Sequence, residues 1–196
     1  MKQLSMVTAV LLAFGMQAAY ADRDQAIRVN LKGYEEVPAV STVATGRLRA
    51  SIDDDRQSIE YTLSWRGLQG SVTQAHIHLG QRHVNGGIVL WLCQTATNPA
   101  PLPIPPATAT PPCPVPQMAG DPVEVSGTLR PGNVVAIGIL GTPSGGQQIS
   151  AGEWEEVLAA IRAGVAYANV HSNLSPGGEI RGQVKAQGGH DHDDDD

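Results

Sequence analysis

The sequence predicts an all-β fold, an antiparallel, Greek-key-like β-sandwich or barrel with one short helix at about 150–163 and a proline-rich insertion at 94–122. Three observations point there. Apolar and polar residues alternate with period two through several short segments, the signature of half-buried strands. The chain carries 22 glycines and only 4% aromatic residues, a composition suited to many turns and short strands rather than to a helical bundle. Helical start and stop signals coincide in one place only.

Residues 1–21 read as an export signal rather than as part of the fold. Lys2 supplies a positive start, Met6 to Ala13 is apolar, and Ala19-Tyr20-Ala21 offers the small-x-small pattern cut by signal peptidases. The apolar run is short for a bilayer span, so a retained anchor is the lesser alternative. The remainder, 22–187, is expected to form one domain in the periplasm or outside the cell, without membrane attachment once the signal is gone. The formal charge of the whole chain is -6, and most of it sits in the final aspartates, which leaves the body close to neutral. No basic patch recommends nucleic acid as a partner. Oligomeric state is not set by anything in the sequence.

The strands follow in order. Ile27 to Tyr34 alternates, and Glu35-Glu36-Val37-Pro38 ends it. Gly46 to Ile52 and Ser58 to Trp65 form a pair across Asp53-Asp54-Asp55-Arg56, a solvated turn without the spaced ligands of a calcium loop. Val72 to Leu79 is next, then a turn at His83-Val84-Asn85-Gly86-Gly87 and the continuous apolar run Ile88 to Leu92. Residues 94–122 lose all periodicity to Ala, Thr and Pro, and are expected to lie over the domain surface. Cys93 and Cys113 bracket most of that stretch. In an exported chain a disulfide is the default, and their spacing is far from that of a thiolate metal site.

Val123 to Leu129 resumes strand character, and Val134 to Leu140 reads as a buried strand. Ser150 and Glu153 make an S-x-x-E capping box; Trp154, Val157, Leu158 and Ile161 share one helical face; Gly164 stops the helix. Val165 to His171 returns to strand, Ser175-Pro176-Gly177-Gly178 turns the chain, and Glu179 to Lys185 runs back. The last residues, 188–196, form a low-complexity tail around His190, His192 and the terminal aspartates. It reads as disordered, either capturing metal ions or serving only as a solubilising end.

The chemistry centres on Gln74-Ala75-His76-Ile77-His78-Leu79-Gly80. Residues two apart on a strand face the same way, with Cα atoms about 6.5–7 Å apart, so His76 and His78 aim two imidazoles at one place. His171 offers a third ring from another strand, and Arg181 falls within cross-strand reach of it if the last hairpin turns near Pro176. His83 is either a fourth ligand folding back from its turn or an exposed loop residue. The bland alternative makes all of these packing histidines. Imidazole-only ligation suits copper, zinc and nickel. A zinc hydrolase would also need a substrate cleft, which the sequence does not show, whereas copper with an open position admits a small anion such as superoxide, steered by Arg181.

Four segments then resemble a known family. Leu31-Lys32-Gly33-Tyr34-Glu35-Glu36-Val37-Pro38, Ala75-His76-Ile77-His78, Ala163 to Ser172 and Pro176-Gly177-Gly178-Glu179-Ile180-Arg181-Gly182-Gln183 are similar to the signature segments of the CHRD, or chordin-type, domain, over Ile27 to Ala186. The proline-rich stretch departs from that pattern as an insertion. A second resemblance, to the copper half of copper/zinc superoxide dismutases, implies copper ligands at His76, His78 and His171 and an anion-guiding Arg181. The long loop that carries the bridging histidine and zinc ligands there is missing here, so zinc is not expected. The resulting expectation is an exported copper-only, superoxide dismutase-like protein. The alternatives are a copper-binding or delivery module without turnover, or a structural or adhesive extracellular domain.

Overall fold

The computed structural model describes residues 25–105, 107–118, 120–137 and 146–187. The signal-peptide reading of 1–21 and the tail at 188–196 lie outside the described residues. Among the described residues there are nine strands: β1 (Gln25–Lys32), β2 (Thr45–Asp53), β3 (Ser58–Arg66), β4 (Val72–Leu79), β5 (Ile88–Cys93), β6 (Val123–Leu129), β7 (Ala166–Ser172), β8 (Ile180–Val184) and β9 (Ala186–Gln187). One α-helix, α1 (Trp154–Arg162), precedes β7. Every pairing between these strands is antiparallel. The order β5-β4-β7-β8-β1-β2-β3-β6, with β9 also on β1, makes one curved sheet. Its edges β5 and β6 approach each other, so the all-β fold is a nearly closed barrel.

Alternation decides which residues fill it. Ile27, Val29 and Leu31 of β1 and Ile59, Tyr61, Leu63 and Trp65 of β3 are buried, while Arg28, Asn30 and Lys32 are exposed. The Tyr61 hydroxyl donates to the Leu92 carbonyl at 2.6 Å, tying β3 to β5. Burial on this scale is the main stabilising term, at about 1.5–3 kcal/mol for each large apolar side chain. Two glycines allow close approaches. A Cβ on Gly182 would lie 2.4 Å from the Asn30 carbonyl oxygen, so β8 reaches β1 because that atom is missing. A Cβ on Gly33 would lie 2.3 Å from the Val40 oxygen.

The structure moves three sequence-based boundaries. Tyr34 leaves the first strand for a 3-10 turn, Gly33–Glu35, and is 73% exposed, because the Gly33 carbonyl accepts from Glu36 and Val40 and curls the chain. The expected strand Val134–Leu140 is not one over 134–137: a 3-10 turn at Pro131–Asn133 leads into irregular chain, and residues 138–140 lie outside the described set. The helix begins at Trp154 rather than Ser150. Only the return half of the capping box forms, with the Ser150 N–H donating to the Glu153 carboxylate at 2.7 Å.

The insertion is bound down at several points. Cys93 and Cys113 form the disulfide, Cα atoms 4.8 Å apart, and the N–H of Cys113 donates to the Gln94 carbonyl. Ile104 donates to the Gly132 carbonyl, and Asn133 Nδ2 to that of Thr108. Asp53 caps its own turn by accepting from the Arg56 backbone and guanidinium.

Candidate metal centre

β4 carries His76 and His78 between Ala75, Ile77 and Leu79, and the alternation sends the two groups to opposite faces. Ala75 and Ile77 enter the barrel core, as do Ala168, Val170 and Ile180 on the neighbouring strands. The histidines therefore stand on the outer face. The register extends this face sideways: His76 lies opposite Asn169, which lies opposite Arg181; His78 lies opposite Tyr167; Gln74 lies opposite His171. On the other side β5 is bulged twice, between the pairs Ala75–Cys93 and His76–Trp91 and again between Ile77–Leu90 and His78–Ile88. Such bulges re-aim side chains locally. Here they let an almost wholly apolar strand present Trp91 to His76 while Val89, Leu90 and Leu92 stay in the core.

An outer face would ordinarily meet water, yet His76, His78 and His171 are 0%, 7% and 5% exposed. The connection 80–87, the turn 173–178 and the segment around Glu36 contribute to the cover. His78 Nδ1 donates to the Gly86 carbonyl and His171 Nδ1 to that of Pro176, each at 2.9 Å. A neutral imidazole carries one N–H, so both rings present the Nε2 lone pair to the interior of the cluster. Such a backbone acceptor behind the ring is the usual support of a metal-bound histidine. His76 Nδ1 lies 3.2 Å from His171 Nε2, and its ring packs edge-on against Trp91 at 4.2 Å between centroids. Nε2 of His76 and Nε2 of His78 are buried without a hydrogen-bond partner. An orphaned buried polar atom costs about 1–3 kcal/mol.

One potential ligand atom from each of the three rings can be chosen so that all lie within 4.8 Å of one another. Two nitrogens on one ion at the usual bond length are at most about 4.2 Å apart, so the widest pair must close by about 0.6 Å or more for all three rings to share it. The donor set is neutral and imidazole-only, and two of its rings keep an orphaned Nε2, which fits a transition-metal ion. Burial keeps it neutral. It pushes His76 down to about 2, aided by the two neighbouring rings, and His78 down to about 4 against the opposing bond to Gly86. His171 is lowered by burial as well.

Arg181 is on the expected face, one pair removed from His171 rather than beside it, because Asn169 takes the opposite position. It is 1% exposed. Its guanidinium lies 3.4 Å from the centroid of the Tyr167 ring, which in turn stacks on His78 at 4.6 Å. Its N–H groups donate to the carbonyls of Gln81 and Val84 and to Asn85 Oδ1. The arginine thus fastens the covering loop. His83 sits in that loop, exposed, with φ 64°, outside the three-histidine group.

Two residues that sequence reasoning passed over belong to this site. Asn169, 1% exposed, places Oδ1 2.9 Å from His171 Nε2. Glu36 is buried, its carboxyl pushed up to about 7 by burial, against the opposing pull of Arg181 and Asn169. Asn169 had one legible signal, its place two residues before His171 on a strand. Glu36 had only its place in the family-like segment Leu31 to Pro38, since otherwise it follows a strand end and precedes the Val37–Pro38 bond like any turn residue. Glu179, also fully buried, is a structural carboxylate: it accepts from Thr42, from the Gln69 N–H and from Ser172.

Comparison with known proteins gives one match. The family model described as the CHRD domain covers residues 27–184. No curated protein and no solved structure matches the chain.

Proposed function

The chain belongs to the CHRD domain family, and from that premise we propose that it is an exported protein holding one copper ion between His76, His78 and His171. The observation that carries this reading is the burial of three neutral imidazoles on one spot, two of them with an orphaned Nε2. Among divalent ions of the first transition row, a nitrogen site binds copper most tightly, and the absence of a carboxylate in the group disfavours magnesium and calcium. The disulfide fits an oxidising compartment. Among the described residues no helix is long and apolar enough to cross a membrane.

Copper bound there supplies one-electron exchange, and superoxide is the small anion that suits it. The protein's own part in turnover would be to hold the rings from behind through Gly86 and Pro176 and to attract the anion with Arg181. A second use, retention or delivery without turnover, is favoured by one observation: the Arg181 guanidinium is buried and spent on loop carbonyls. Copper titration of the metal-free protein, read by electron paramagnetic resonance, tests the binding. One copper per chain with imidazole nitrogen couplings is expected, with loss of high-affinity binding in His78→Ala and His171→Ala and retention in His83→Ala. No stoichiometric copper in the folded wild type would leave the rings as packing residues. If copper binds, acceleration of superoxide decay selects turnover, and transfer to an acceptor without acceleration selects carriage.

A further inference from the structure

Asn169 and Glu36 form a second layer that nothing in a three-histidine site requires. Asn169 stands in the same row as His76 and Arg181, and its Oδ1 faces His171 Nε2 at 2.9 Å. His171 has already committed its N–H, at Nδ1, to the Pro176 carbonyl. The Nε2 lone pair therefore meets the lone pairs of an amide oxygen, two acceptors in contact. Turning the amide over would remove the conflict by offering Nδ2 to the ring instead. The environment opposes that turn. Asn169 Nδ2 and Glu36 Oε1 converge above Gly178, where an added Cβ would lie 2.7 Å from the one and 2.3 Å from the other. Glu36 Oε1 is buried beside the amide, and the Asn169 side chain pulls the Glu36 carboxyl down against burial, so this oxygen draws the amide nitrogen and turns Oδ1 toward the histidines.

A cation between Oδ1 and Nε2 converts the conflict into shared ligation. The spacing suits it, with Oδ1 2.9 Å from His171 Nε2. Adjacent donors at right angles around an ion with bonds of about 2.0–2.1 Å are about 2.9 Å apart. An amide oxygen is also an accepted weak axial donor to copper. We propose that Asn169 Oδ1 is the fourth donor of the site and that Glu36 is the positioning residue that keeps this oxygen, not the amide nitrogen, turned to the metal. This rests on the copper reading above.

The test uses the full chain loaded with one equivalent of copper(II), read by electron paramagnetic resonance, visible absorption and competition with a chelator of known affinity. In Asn169→Ala the imidazole couplings persist, while the parallel g and copper hyperfine values and the ligand-field band shift, and affinity falls tenfold or more. Asn169→Asp keeps an oxygen donor and retains most of the affinity. Glu36→Gln leaves every donor in place but replaces the acceptor that orients the amide with a side chain that also donates, and binds copper several-fold more weakly. Circular dichroism checks that each variant is folded. Spectra and affinities of Asn169→Ala and Glu36→Gln that superimpose on wild type would overturn the inference while leaving the three-histidine site intact. If Asn169→Ala does not fold, unchanged spectra and affinity in Glu36→Gln decide against it. A wild type that takes up no copper removes both readings together.

Discussion

Trp91 shows how much of this site is decided one side chain at a time. It is half-buried on β5 and meets His76 edge-on at 4.2 Å, whereas Trp65 and Trp154 lie in the barrel core. Copper(II) at the histidines should therefore quench Trp91 more strongly than the other two. In a fluorescence titration, Trp91→Phe should remove most of the copper-dependent quenching, and Trp65→Phe little of it. Equal losses would place the ion elsewhere. At this scale the H-x-H spacing was legible, because period two is a property of any strand. The roles of Asn169 and Glu36 were not, because they depend on which atoms of distant segments face each other.

At the scale of elements, the site depends on strands held closer than side chains normally permit. Gly182 lets β8 lie against Asn30 of β1, and β8 is the strand that carries Arg181 to the covering loop. Gly182→Ala should destabilise the protein by about 1–3 kcal/mol, the usual cost of forced overpacking. Gly177→Ala, where an added Cβ meets nothing within 4 Å, is the near-neutral control. Urea unfolding of the two variants checks this, and equal midpoints would show that β8 can withdraw without cost. The disulfide acts on the insertion in a different way. Its cysteines are 20 residues apart, and closing such a loop is worth about 3 kcal/mol in the chain-entropy account. Most strand positions were readable from alternation. β5 was readable as a strand, but its two bulges were not, since a run of apolar residues looks the same with or without them.

Across the whole molecule, a cluster of buried neutral histidines makes stability depend on pH. In the metal-free unfolded chain these rings take up protons below about 6.5; in the folded protein His78 does so only near 4 and His76 near 2. Between those values protons favour the unfolded state, so stability falls as pH drops below about 6.5, by up to about 1.4 kcal/mol per pH unit for each group. Glu36 works the other way. Its folded carboxyl binds a proton from about 7, its unfolded one from 4.5, so its contribution grows as pH falls through that window. The sum is still a loss on acidification, because His171 is lowered as well. Melting temperatures measured in chelator should decline from pH 6.5 to 4, and more steeply in Glu36→Gln. A melting temperature that held constant across that range would mean that the rings are not buried as neutral groups. The sequence by itself determined the all-β class, the disulfide partners, one helix, and the face shared by His76 and His78, all of which follow from local periodicity, composition and spacing. Only the tertiary structure decided that the sheet nearly closes, that the histidines stand outside the core under a cover of loops, and that Arg181 is spent in holding that cover. Those are matters of register and of contacts between remote segments, and local periodicity carries no record of them.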